Sequence, residues 1–466
     1  MANALTSESF LNTLKNYTNY KRFIVAFSGG LDSSVLVHLC AQLKNQLLAR
    51  GLKLEAVYID HQLQSESAQW ATFCRSRCQQ YQIPFQSIQV DAAPKKRQSP
   101  EAAARDARYQ ALKKILTADD CLLTAHHQSD QAETLLLQML RGSGPKGLAA
   151  MPLLKPFYQA HMLRPLLTFS QAEIKAYAEQ QQLEWIDDKS NLDLRYKRNF
   201  LRHQIMPALM EQWPAMEKTL HRVTHLQAES VEILEHVAQQ DIESCEYQFE
   251  NDGPIDYLKG QYLLSIARLQ QLSSARINNA IQYWLRSLNV PVLNSVLLER
   301  LQSDFIFGQQ ETQPLLEWQN QFSLRRFKGF LILCSEVEFD SKITYQWHLS
   351  LKKNNQTQIQ IIAGTVVLNV NATYANKSGA INPLKLNSAL EIRFRQGRET
   401  FKLANQSHHS LKKWFQENAV PPWLRDRIPL FFSDNQLFQV GNYLVDKSFM
   451  AANDKEGVVI RWNYMD

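Results

Sequence analysis

The sequence has no long apolar run. Its apolar stretches stay well short of the roughly 20 residues that a membrane-spanning helix requires. The first residues include Glu8 and lack the hydrophobic segment of a signal peptide. The six cysteines are scattered along the chain without a disulfide framework, which favours a reducing compartment. These absences predict a cytoplasmic protein with no membrane partner.

The remaining totals are those of a folded, multidomain chain. A length of 466 residues is enough for two or three domains with their own cores. Hydrophobic residues make up 45% and charged residues 21% of the chain, as in ordinary globular proteins. The net charge of +6 permits a polyanionic partner such as RNA without requiring one.

The stretch from Phe23 to Ser34, FIVAFSGGLDSS, is the most informative in the chain. Its uncharged residues Phe23–Phe27 predict a strand buried on both faces of a parallel sheet. The turn Ser28-Gly29-Gly30 follows, and apolar residues at helical spacing begin at Leu31. Backbone N–H groups at the start of a helix bind anions, and glycine leaves them accessible. The pattern predicts a phosphate-binding loop, although an ordinary strand–helix turn has the same outline.

Side chains of this loop extend the predicted site. The hydroxyls of Ser28, Ser33 and Ser34 add hydrogen-bond donors, and Asp32 is the one acid among them. An acid beside bound phosphates implies a bridging cation, most simply Mg²⁺. The loop lacks the lysine of a Walker motif and the spacing of a dinucleotide fingerprint. It resembles instead the SGGxDS loop of the ATP pyrophosphatase superfamily, whose members cleave ATP to AMP and pyrophosphate.

The first half of the chain alternates strands and helices, which predicts a doubly wound parallel α/β sheet. In such sheets ligands bind beyond the carboxyl ends of the strands. Three polar groups found independently, Ser28–Ser33, Asp60-His61 and Thr124–His127, follow predicted strands and should therefore line one crevice. The other predicted elements are strands at Leu52–Asp60, Phe85–Val90 and Cys121–Thr124 and helices at Ser65–Tyr81 and Pro100–Leu116.

A further helix, predicted to be capped by Ser129, carries two acids in its first turns. Asp130 and Glu133 are three residues apart, so they share a face at the helix end where carboxylates are stabilised. Helix capping alone would explain this pattern. A zinc site is disfavoured because the adjacent His126 and His127 lack a familiar ligand spacing. The acids, with His127 just before them, are candidate catalytic groups.

Two groups of basic residues are candidates for ligand contact. The loop Lys95–Arg97 precedes a helix on which Arg105 shares a face with Arg108. A solvated charged face explains that spacing equally well.

The second basic group lies on a helix predicted from Asp193 to Pro207, where Arg195, Arg198 and Arg202 share one face. Basic faces are usually only solvated. Arginine grips phosphate through two parallel hydrogen bonds, and this density of arginine favours RNA contact.

Four further segments match one family in the same order. Together with the glycine loop they cover most of the chain before Trp213, and they resemble tRNA(Ile)-lysidine synthetases in the long form with two accessory C-terminal domains. One departure is that the family usually has two consecutive acids before a glutamine, and here the first position is Ser129. The segments are Glu101–Arg108, Thr124–Thr134, Arg141–Leu148 and Asp188–Arg202.

This resemblance implies an adenine nucleotide α-hydrolase-like fold and a ligase that forms a C–N bond. It would use ATP and Mg²⁺ to adenylate C2 of the wobble cytidine in the CAU anticodon of tRNA(Ile). The ε-amine of L-lysine would then displace AMP and give lysidine, which changes decoding from AUG to AUA. The resemblance therefore implies a tRNA-modifying, ATP-binding enzyme of tRNA processing.

The resemblance also implies roles for the candidate residues. The lysine amine has an ordinary pKa of about 10.4, so a carboxylate that orients the ammonium and accepts its proton would help. Asp130 and Glu133 are expected to do this, with His127 behind them, while Arg105 meets the α-carboxylate. Asp32 is the expected metal ligand. The ATP-binding residues would be Ser28, Gly29, Gly30, Leu31, Asp32 and Ser33.

Past Trp213 the alternation of strands and helices ends. Apolar residues at helical spacing predict a mainly helical second domain, over 219–244, 266–289 and 293–303, and later stretches predict short strands. We expect a catalytic domain over 1–213 and two tRNA-binding domains, helical over 214–340 and small α+β over 341–466.

The last of these domains interleaves basic residues with tryptophans. Arg393, Arg398 and Lys402 lie near Trp414 and Trp423 in the sequence, which suits RNA because cations hold phosphates and rings stack on bases. The alternative is a basic surface around a core that contains the rings.

Other functions remain open at this level. A tRNA thiolase of the same superfamily would need a sulfur-carrying or cluster-binding cysteine in the crevice, and Cys74 and Cys78 have the wrong spacing. An amidating synthetase with an N-terminal glutaminase would need cysteine at position 2, which is Ala2. A non-enzymatic RNA-binding protein would not need the ATP loop. The sequence leaves the oligomeric state open between a monomer and a homodimer.

Overall fold

The computed structural model describes residues 4–61, 67–93, 100–247, 262–309, 312–335, 338–349, 357–364, 366–375, 380–387, 389–397, 399–401, 409–418, 420–451 and 457–464. The chain divides into two compact units, Met1–Leu234 and Glu235–Asp466. Some residues that were predicted to contact a ligand or RNA lie outside the described part of the chain, namely Lys95–Arg97, Arg398 and Lys402. Among the described residues, no helix has both the length and the apolar character needed to cross a bilayer.

The first unit is built on one six-stranded sheet. Its strands are β1 (Arg22–Ala26), β2 (Lys53–Asp60), β3 (Phe85–Gln89), β4 (Asp120–Leu123), β5 (Leu154–Phe157) and β6 (Ala160–Leu163). They lie in the order β3-β2-β1-β4-β6-β5, and all pairs are parallel except β5 with β6. The predicted parallel α/β sheet is confirmed, with an unpredicted antiparallel hairpin at one edge.

Ten α-helices are described between Ser7 and Cys245. The division between the two units falls within α10. The helices are α1 (Ser7–Leu14), α2 (Leu31–Ala49), α3 (Ser67–Gln80), α4 (Pro100–Ile115), α5 (Gln128–Leu140), α6 (Pro145–Leu148), α7 (Gln171–Gln180), α8 (Lys197–Phe200), α9 (Met206–Gln212) and α10 (Met216–Cys245).

Helices cover both faces of the sheet because alternate residues of β1 enter different cores. Phe23 and Val25 join one buried cluster with Val35 of α2. Ile24, between them, joins a second cluster with Leu112 of α4. Side chains of a strand alternate between its two faces, so these clusters lie on opposite sides of a doubly wound sheet.

The basic helix predicted from Asp193 begins later than expected. The backbone N–H of Arg195 donates to the side chain of Asp193 at 3.0 Å. This local bond forms a turn that competes with the helix, and α8 begins only at Lys197. Arg195 therefore lies outside the helix that carries Arg198 and Arg202.

The same helix also ends later than predicted, because it continues past Pro207. A π-helical turn spans Leu201–Ile205, and the N–H of Met206 donates to the carbonyl of Leu201. Proline has no N–H to donate and fits the first turn of a helical segment. The π-helical turn places Pro207 in the first turn of α9, which ends at Gln212.

The second unit begins with helices packed on an antiparallel sheet. The helix predicted over 266–289 is broken, because Ser273 accepts a bond from the N–H of Arg276 and starts a new helix. The sheet order is β7-β10-β9-β8. The elements are β7 (Tyr262–Ser265), α11 (Ile266–Leu269), α12 (Ser274–Ser287), α13 (Ser295–Arg300), β8 (Leu315–Trp318), β9 (Phe322–Phe327) and β10 (Phe330–Ser335).

The rest of the second unit is mainly strand. Its sheets have the orders β11-β14-β17-β18-β19, β12-β13-β20 and β15-β16. The elements are β11 (Thr344–His348), β12 (Thr357–Ala363), β13 (Val366–Ala375), β14 (Ala389–Arg393), β15 (Thr400–Phe401), β16 (His409–Ser410), α14 (Leu411–Glu417), α15 (Pro422–Arg425), β17 (Leu430–Ser433), β18 (Gln436–Val440), β19 (Leu444–Val445) and β20 (Gly457–Tyr464).

The two tryptophans expected to stack on RNA contact protein instead. Trp414 is 8% exposed and belongs to the buried core of this unit. Trp423 packs edge-to-face on Phe327, with ring centroids 5.5 Å apart, and Arg325 lies over its ring at 5.1 Å. Both rings therefore fit the alternative in which they form part of a core.

Candidate active site

The glycine loop between β1 and α2 is held by short polar contacts. The N–H of Ser28 donates to the Ser33 hydroxyl at 3.2 Å, and the two hydroxyls lie 3.0 Å apart. The Ser33 hydroxyl donates to the carbonyl of Gly30 at 3.0 Å. Among the described residues no side chain caps the first turn of α2, which begins at Leu31. Its N–H groups therefore remain available to an anion.

Gly29 is required at its position. Its φ of +84° is a conformation that other residues rarely adopt, and an added Cβ would lie 2.7 Å from Ile186 Cδ1 and 3.2 Å from Cys74 Sγ. The N–H of Ile186 also donates to the carbonyl of Gly29 at 2.9 Å. The segment after α7 thus fixes the glycine loop from outside.

Asp32 lies in the first turn of α2, and one of its two carboxylate oxygens has no hydrogen-bond partner in the described part of the chain. Its side chain is 34% exposed, and Oδ2 lies 3.6 Å from Nε2 of His127. Its Oδ1 is buried and has no hydrogen-bond partner among the described residues. A buried carboxylate oxygen without a partner is unfavourable. The residue therefore fits a ligand role toward a cation such as Mg²⁺.

The acid-bearing helix α5 begins at Gln128, so its N-cap lies two residues before the predicted cap at Ser129. His127 is its N-cap, and the His127 N–H donates to Oδ2 of Asp130 at 3.1 Å. A carboxylate at this position accepts that N–H more strongly than a hydroxyl does, and it also suits the helix dipole. Ser129 is instead a buried first-turn residue, 6% exposed.

His127 connects the glycine loop to the acids. Its side chain is 1% exposed, and Nε2 lies 3.6 Å from Oδ2 of Asp32 and 3.5 Å from Oδ2 of Asp130. Three predicted catalytic residues are therefore neighbours, although nearly a hundred positions of sequence separate the two strands that precede them.

The acids are paired with two of the predicted RNA-binding arginines. Oδ1 of Asp130 accepts from Arg198 at 2.8 Å and from Arg202 at 2.9 Å. Glu133, whose side chain is 1% exposed, accepts from Nε of Arg198 at 2.7 Å and from Nε of Arg202 at 2.6 Å. Each arginine contacts both acids, so the four side chains form one partly buried ion-pair network, called here the acid–arginine cluster.

The charges in this cluster stabilise one another. Burial opposes ionisation of Asp130, but His127 and then Arg198 outweigh it and hold the pKa of Asp130 well below its usual range. Burial alone would lower the pKa of His127, yet Asp130 and Asp32 raise it overall. Burial also works against the charge of Arg198, while Asp130 and Glu133 raise its pKa. Asp130 is therefore ionised at neutral pH.

Two predicted contact residues are exposed and contact other groups. Arg195 is 88% exposed and pairs with Asp193 at 2.7 Å. Arg105 is exposed on α4, and its guanidinium lies 5.1 Å over the ring of Tyr109. These two arginines have surfaces open to a ligand.

The end of β2 joins the same crevice edge through Arg108. Its guanidinium approaches Nε2 of His61 at 3.3 Å. Burial, followed by the charge of Arg108, lowers the pKa of His61 to about 4, so the imidazole is a neutral acceptor. The sequence analysis predicted that His61 lies at this edge, but it did not predict the contact with Arg108.

One buried cation at the edge was missed by sequence reasoning. Arg164 directly follows β6 and is 3% exposed. The rule that polar residues after parallel strands line the crevice would have identified it. However, β6 is only four residues long and begins with Ala160 and His161, so its pattern gives little strand signal.

Family comparisons agree with this geometry. Residues 3–209 match the family model of a PP-loop domain, residues 264–332 a TilS substrate binding domain and residues 390–462 a TilS substrate C-terminal domain. The fold and the site therefore define an ATP-binding PP-loop protein with substrate-binding extensions.

Relatives match over nearly the whole chain. The tRNA(Ile)-lysidine synthase of Legionella pneumophila (strain Lens) is 35% identical over 462 residues, 98% of each chain. That of Coxiella burnetii is 32% identical over 460 residues, covering 98% of this chain and 96% of the relative. The chain belongs to the tRNA(Ile)-lysidine synthase family. A solved U34-tRNA thiolase from Methanococcus maripaludis is similar at 16% identity and a TM-score of 0.41, over 48% of this chain and 77% of that one.

Proposed function

We propose that this protein is an ATP-dependent ligase that joins L-lysine to C2 of the wobble cytidine in the CAU anticodon of tRNA(Ile). The observation that carries the proposal is the contact chain from Asp32 through His127 to Asp130. It joins a nucleotide loop to a carboxylate site through a shared imidazole whose Nε2 lies 3.6 Å from Asp32 and 3.5 Å from Asp130. Family membership over 98% of the chain supports the same reaction.

The reaction has two steps that need these two parts. The C2 oxygen of cytidine is a poor leaving group, so it first attacks the α-phosphorus of ATP and releases pyrophosphate. The ε-amine of lysine then attacks C2, the C2–O bond breaks, AMP leaves and the amine loses a proton. The first step calls for a loop that binds phosphates, and the second for an acceptor of the amine proton.

The glycine loop would bind the phosphates of ATP. The N–H groups at the start of α2 and the exposed hydroxyl of Ser28 supply donors, while Ser33 holds the turn in shape. Asp32 would hold a Mg²⁺ ion at its unpaired Oδ1. That ion would neutralise phosphate charge.

Asp130 and Glu133 would bind the lysine ammonium. In the structure the guanidinium groups of Arg198 and Arg202 stand where a substrate ammonium would donate its hydrogen bonds. Each arginine side chain is 29% exposed, which leaves part of it able to pair with RNA phosphate. We infer that Arg195, Arg198 and Arg202 contact tRNA, and that two of them also position the acids.

The cysteines argue against the thiolase alternative. All six are free and buried. Burial raises the pKa of Cys78 and of Cys121 to about 12, so their reactive thiolate forms are rare at neutral pH. Cys74, beneath Gly29, is fully buried as well. A sulfur carrier or cluster ligand would need an accessible thiol. The same unpaired, buried cysteines support a reducing, cytoplasmic location.

The proposal is tested by incubating the full chain with ATP, labelled lysine and total tRNA. Label should enter RNA only when ATP is present, and a tRNA(Ile) transcript with CAU in the anticodon should accept it. The matched control is the same transcript with GAU, whose wobble base is not cytidine. Sulfur incorporation without lysine would favour the thiolase, and tRNA binding with no ATP consumption would favour a non-enzymatic RNA-binding protein.

A further inference from the structure

A buried glutamine lies between the two acids in the sequence of α5. Gln131 is 3% exposed, and so is almost wholly enclosed by protein. Its Oε1 accepts the N–H of Met151 at 2.9 Å, and its Nε2 donates to the Met151 carbonyl at 2.8 Å and to Oγ1 of Thr224 at 3.4 Å. Thr224, in the part of α10 that belongs to the first unit, is itself 2% exposed. Because the N–H of Met151 can only donate, these partners fix the orientation of the amide.

The backbone that Gln131 binds is also tied to the sheet. Met151 begins the segment that leads into β5, and Arg164 directly follows β6. Nη1 of Arg164 donates to the carbonyl of Pro152 at 2.6 Å, and the backbone N–H of Arg164 donates to the carbonyl of Leu153 at 2.9 Å. Gln131 therefore links the start of α5 to the end of β6 through three residues of backbone.

Gln131 binds on a different face of α5 from the acids. Successive residues of a helix are turned by about 100°, so Gln131 points about 100° away from Asp130 and about 160° away from Glu133. The acids contact Arg198 and Arg202 on their own face, whereas the amide contacts α10 and the segment before β5. Hydrogen bonds on two faces fix the rotation of the helix as well as its position.

A second glutamine on α5 makes a similar contact far from the acids. Gln138 follows Gln131 by seven residues, so the two side chains share a face of the helix. Oε1 of Gln138 accepts from the hydroxyl of Ser143 at 2.7 Å, and its backbone carbonyl accepts the N–H of Ser143 at 3.0 Å. This contact lies about 10 Å further along the helix. Gln138 therefore offers a matched comparison for Gln131.

We propose that Gln131 is a positioning residue for lysine transfer, an inference that rests on the proposed function. Its partners are protein groups, and it acts by fixing the carboxylates of Asp130 and Glu133 relative to the nucleotide loop. The contact between helix and loop is long, since Nε2 of His127 lies 3.6 Å from Oδ2 of Asp32, and a contact of that length holds the two only weakly. A reacting group displaced by about 1 Å can lose about 100-fold in rate, so the amide has a direct effect on the chemistry.

Methionine in place of the glutamine tests this role, because the two side chains are similar in size and only the amide is lost. Gln131→Met should lower the rate of lysine transfer at saturating lysine by about 10- to 100-fold. Formation of AMP-linked tRNA, and the KM for ATP and for tRNA, should stay within about threefold of wild type, because Ser28 and Ser33 hold the nucleotide loop independently. In the assay, AMP-linked tRNA is formed without lysine, and lysine is then added in a single turnover.

The matched control is Gln138→Met, which removes the same kind of amide from the same helix. It should leave both steps of the reaction unchanged. Each variant loses hydrogen bonds, so each should melt lower than the wild type, Gln131→Met by about 2–6 °C. Thr224→Val removes only the longest of the bonds to Gln131 at nearly constant shape, and it should slow lysine transfer by about two- to fivefold. That variant decides the question if Gln131→Met does not fold.

Hydrogen exchange of the substrate-free protein tests the structural half of the inference. Backbone amides at the start of α5 should exchange faster in Gln131→Met than in the wild type, and at the wild-type rate in Gln138→Met. Unchanged exchange in Gln131→Met would overturn the inference, and so would wild-type lysine transfer in that variant. An equal loss of transfer in both glutamine variants would also overturn it, since general destabilisation would then be the cause. Failure of lysine transfer in the wild type would refute the proposed function, while the exchange comparison still tests how α5 is fixed.

Discussion

The two units of this protein use buried charge in different ways. In the first unit, ionic residues from two chain regions meet at the carboxyl edge of one parallel sheet: Nε2 of His127 lies 3.6 Å from Oδ2 of Asp32 and 3.5 Å from Oδ2 of Asp130. In the second unit, buried charges serve local structure. Asp241 pairs with Arg276, for example. The contrast supports the proposal that the chemistry takes place in the first unit.

Strand direction explains the contrast. All strands of a parallel sheet end at the same edge, so polar residues that follow different strands become neighbours. Antiparallel strands end alternately at two edges, so their polar ends are dispersed. The opposite edge of the parallel sheet supports this reasoning. There Arg22 pairs with Asp120 at 2.7 Å and with Glu55 at 2.9 Å, and this network joins strands without a glycine loop or an open carboxylate.

Asp32→Ala should have the largest effect on turnover. The phosphates would lose the proposed metal ligand, and we expect adenylation of tRNA to fall by about 10³-fold. The melting temperature should change little, because the side chain is 34% exposed. The assay is release of pyrophosphate in the presence of tRNA and ATP.

The matched control for Asp32 is Asp119→Ala. This residue forms an exposed ion pair with Lys21 at the opposite edge of the sheet, and its loss should leave turnover unchanged. Full activity of folded Asp32→Ala would remove the basis for the metal-ligand role and would make the two edges equivalent.

Asp130→Asn and Glu133→Gln should lose lysine transfer while retaining tRNA adenylation. Removing a carboxylate from a desolvated ammonium costs about 2–4 kcal/mol, or roughly 30- to 1,000-fold in kcat/KM for lysine. The measurement is trapping of AMP-linked tRNA without lysine, followed by a lysine titration.

The ion pairs with the arginines complicate this experiment, and a double variant resolves it. Glu133→Gln alone leaves Arg198 and Arg202 without a full partner, so stability should fall as well. Glu133→Gln combined with Arg202→Gln should recover stability because no charge is left unpaired. If kcat/KM for lysine recovers with it, Glu133 has only a structural role. If kcat/KM for lysine stays below that of Arg202→Gln alone at saturating tRNA, the carboxylate is needed for the amine.

The sequence predicted the edge of the sheet better than the contacts across it. The strand–helix alternation identified the glycine loop, Asp60-His61 and the start of α5 as neighbours, because strand ends follow from local patterns. It could not pair Arg198 with Asp130, since these residues are distant in sequence and no periodicity links them. Helical spacing predicted that Arg195, Arg198 and Arg202 share a face that favours RNA contact, and it gave no sign that two of these arginines also contact the acids.

Local competition explains the other differences. The bond from Arg195 to Asp193 delays a helix that charge spacing alone would begin earlier. The hydroxyl of Ser273 breaks a helix whose apolar period runs through it. The rings of Trp414 and Trp423 are equally suited to RNA and to a core, and only packing distinguishes the two. The amino-acid composition does not indicate whether a tryptophan ring packs against protein or stacks on a base.

The smallest effect on activity is expected in the second unit, at the pair of Asp241 with Arg276. Asp241 lies on α10 and is 2% exposed, and it accepts from Nε of Arg276 at 3.0 Å. Asp241→Asn should lower the free energy of unfolding by about 1–3 kcal/mol, because a buried charged hydrogen bond is lost. The lysine kcat/KM of the folded fraction should stay at the wild-type value.

Arg300→Gln, which breaks an exposed pair with Asp304, is the control and should cost no more than about 0.5 kcal/mol. Urea unfolding gives both energies. A selective loss of lysine transfer in folded Asp241→Asn would mean that buried charge in the second unit also serves the chemistry. That result would contradict the argument that only the parallel sheet of the first unit gathers the reacting groups at one edge.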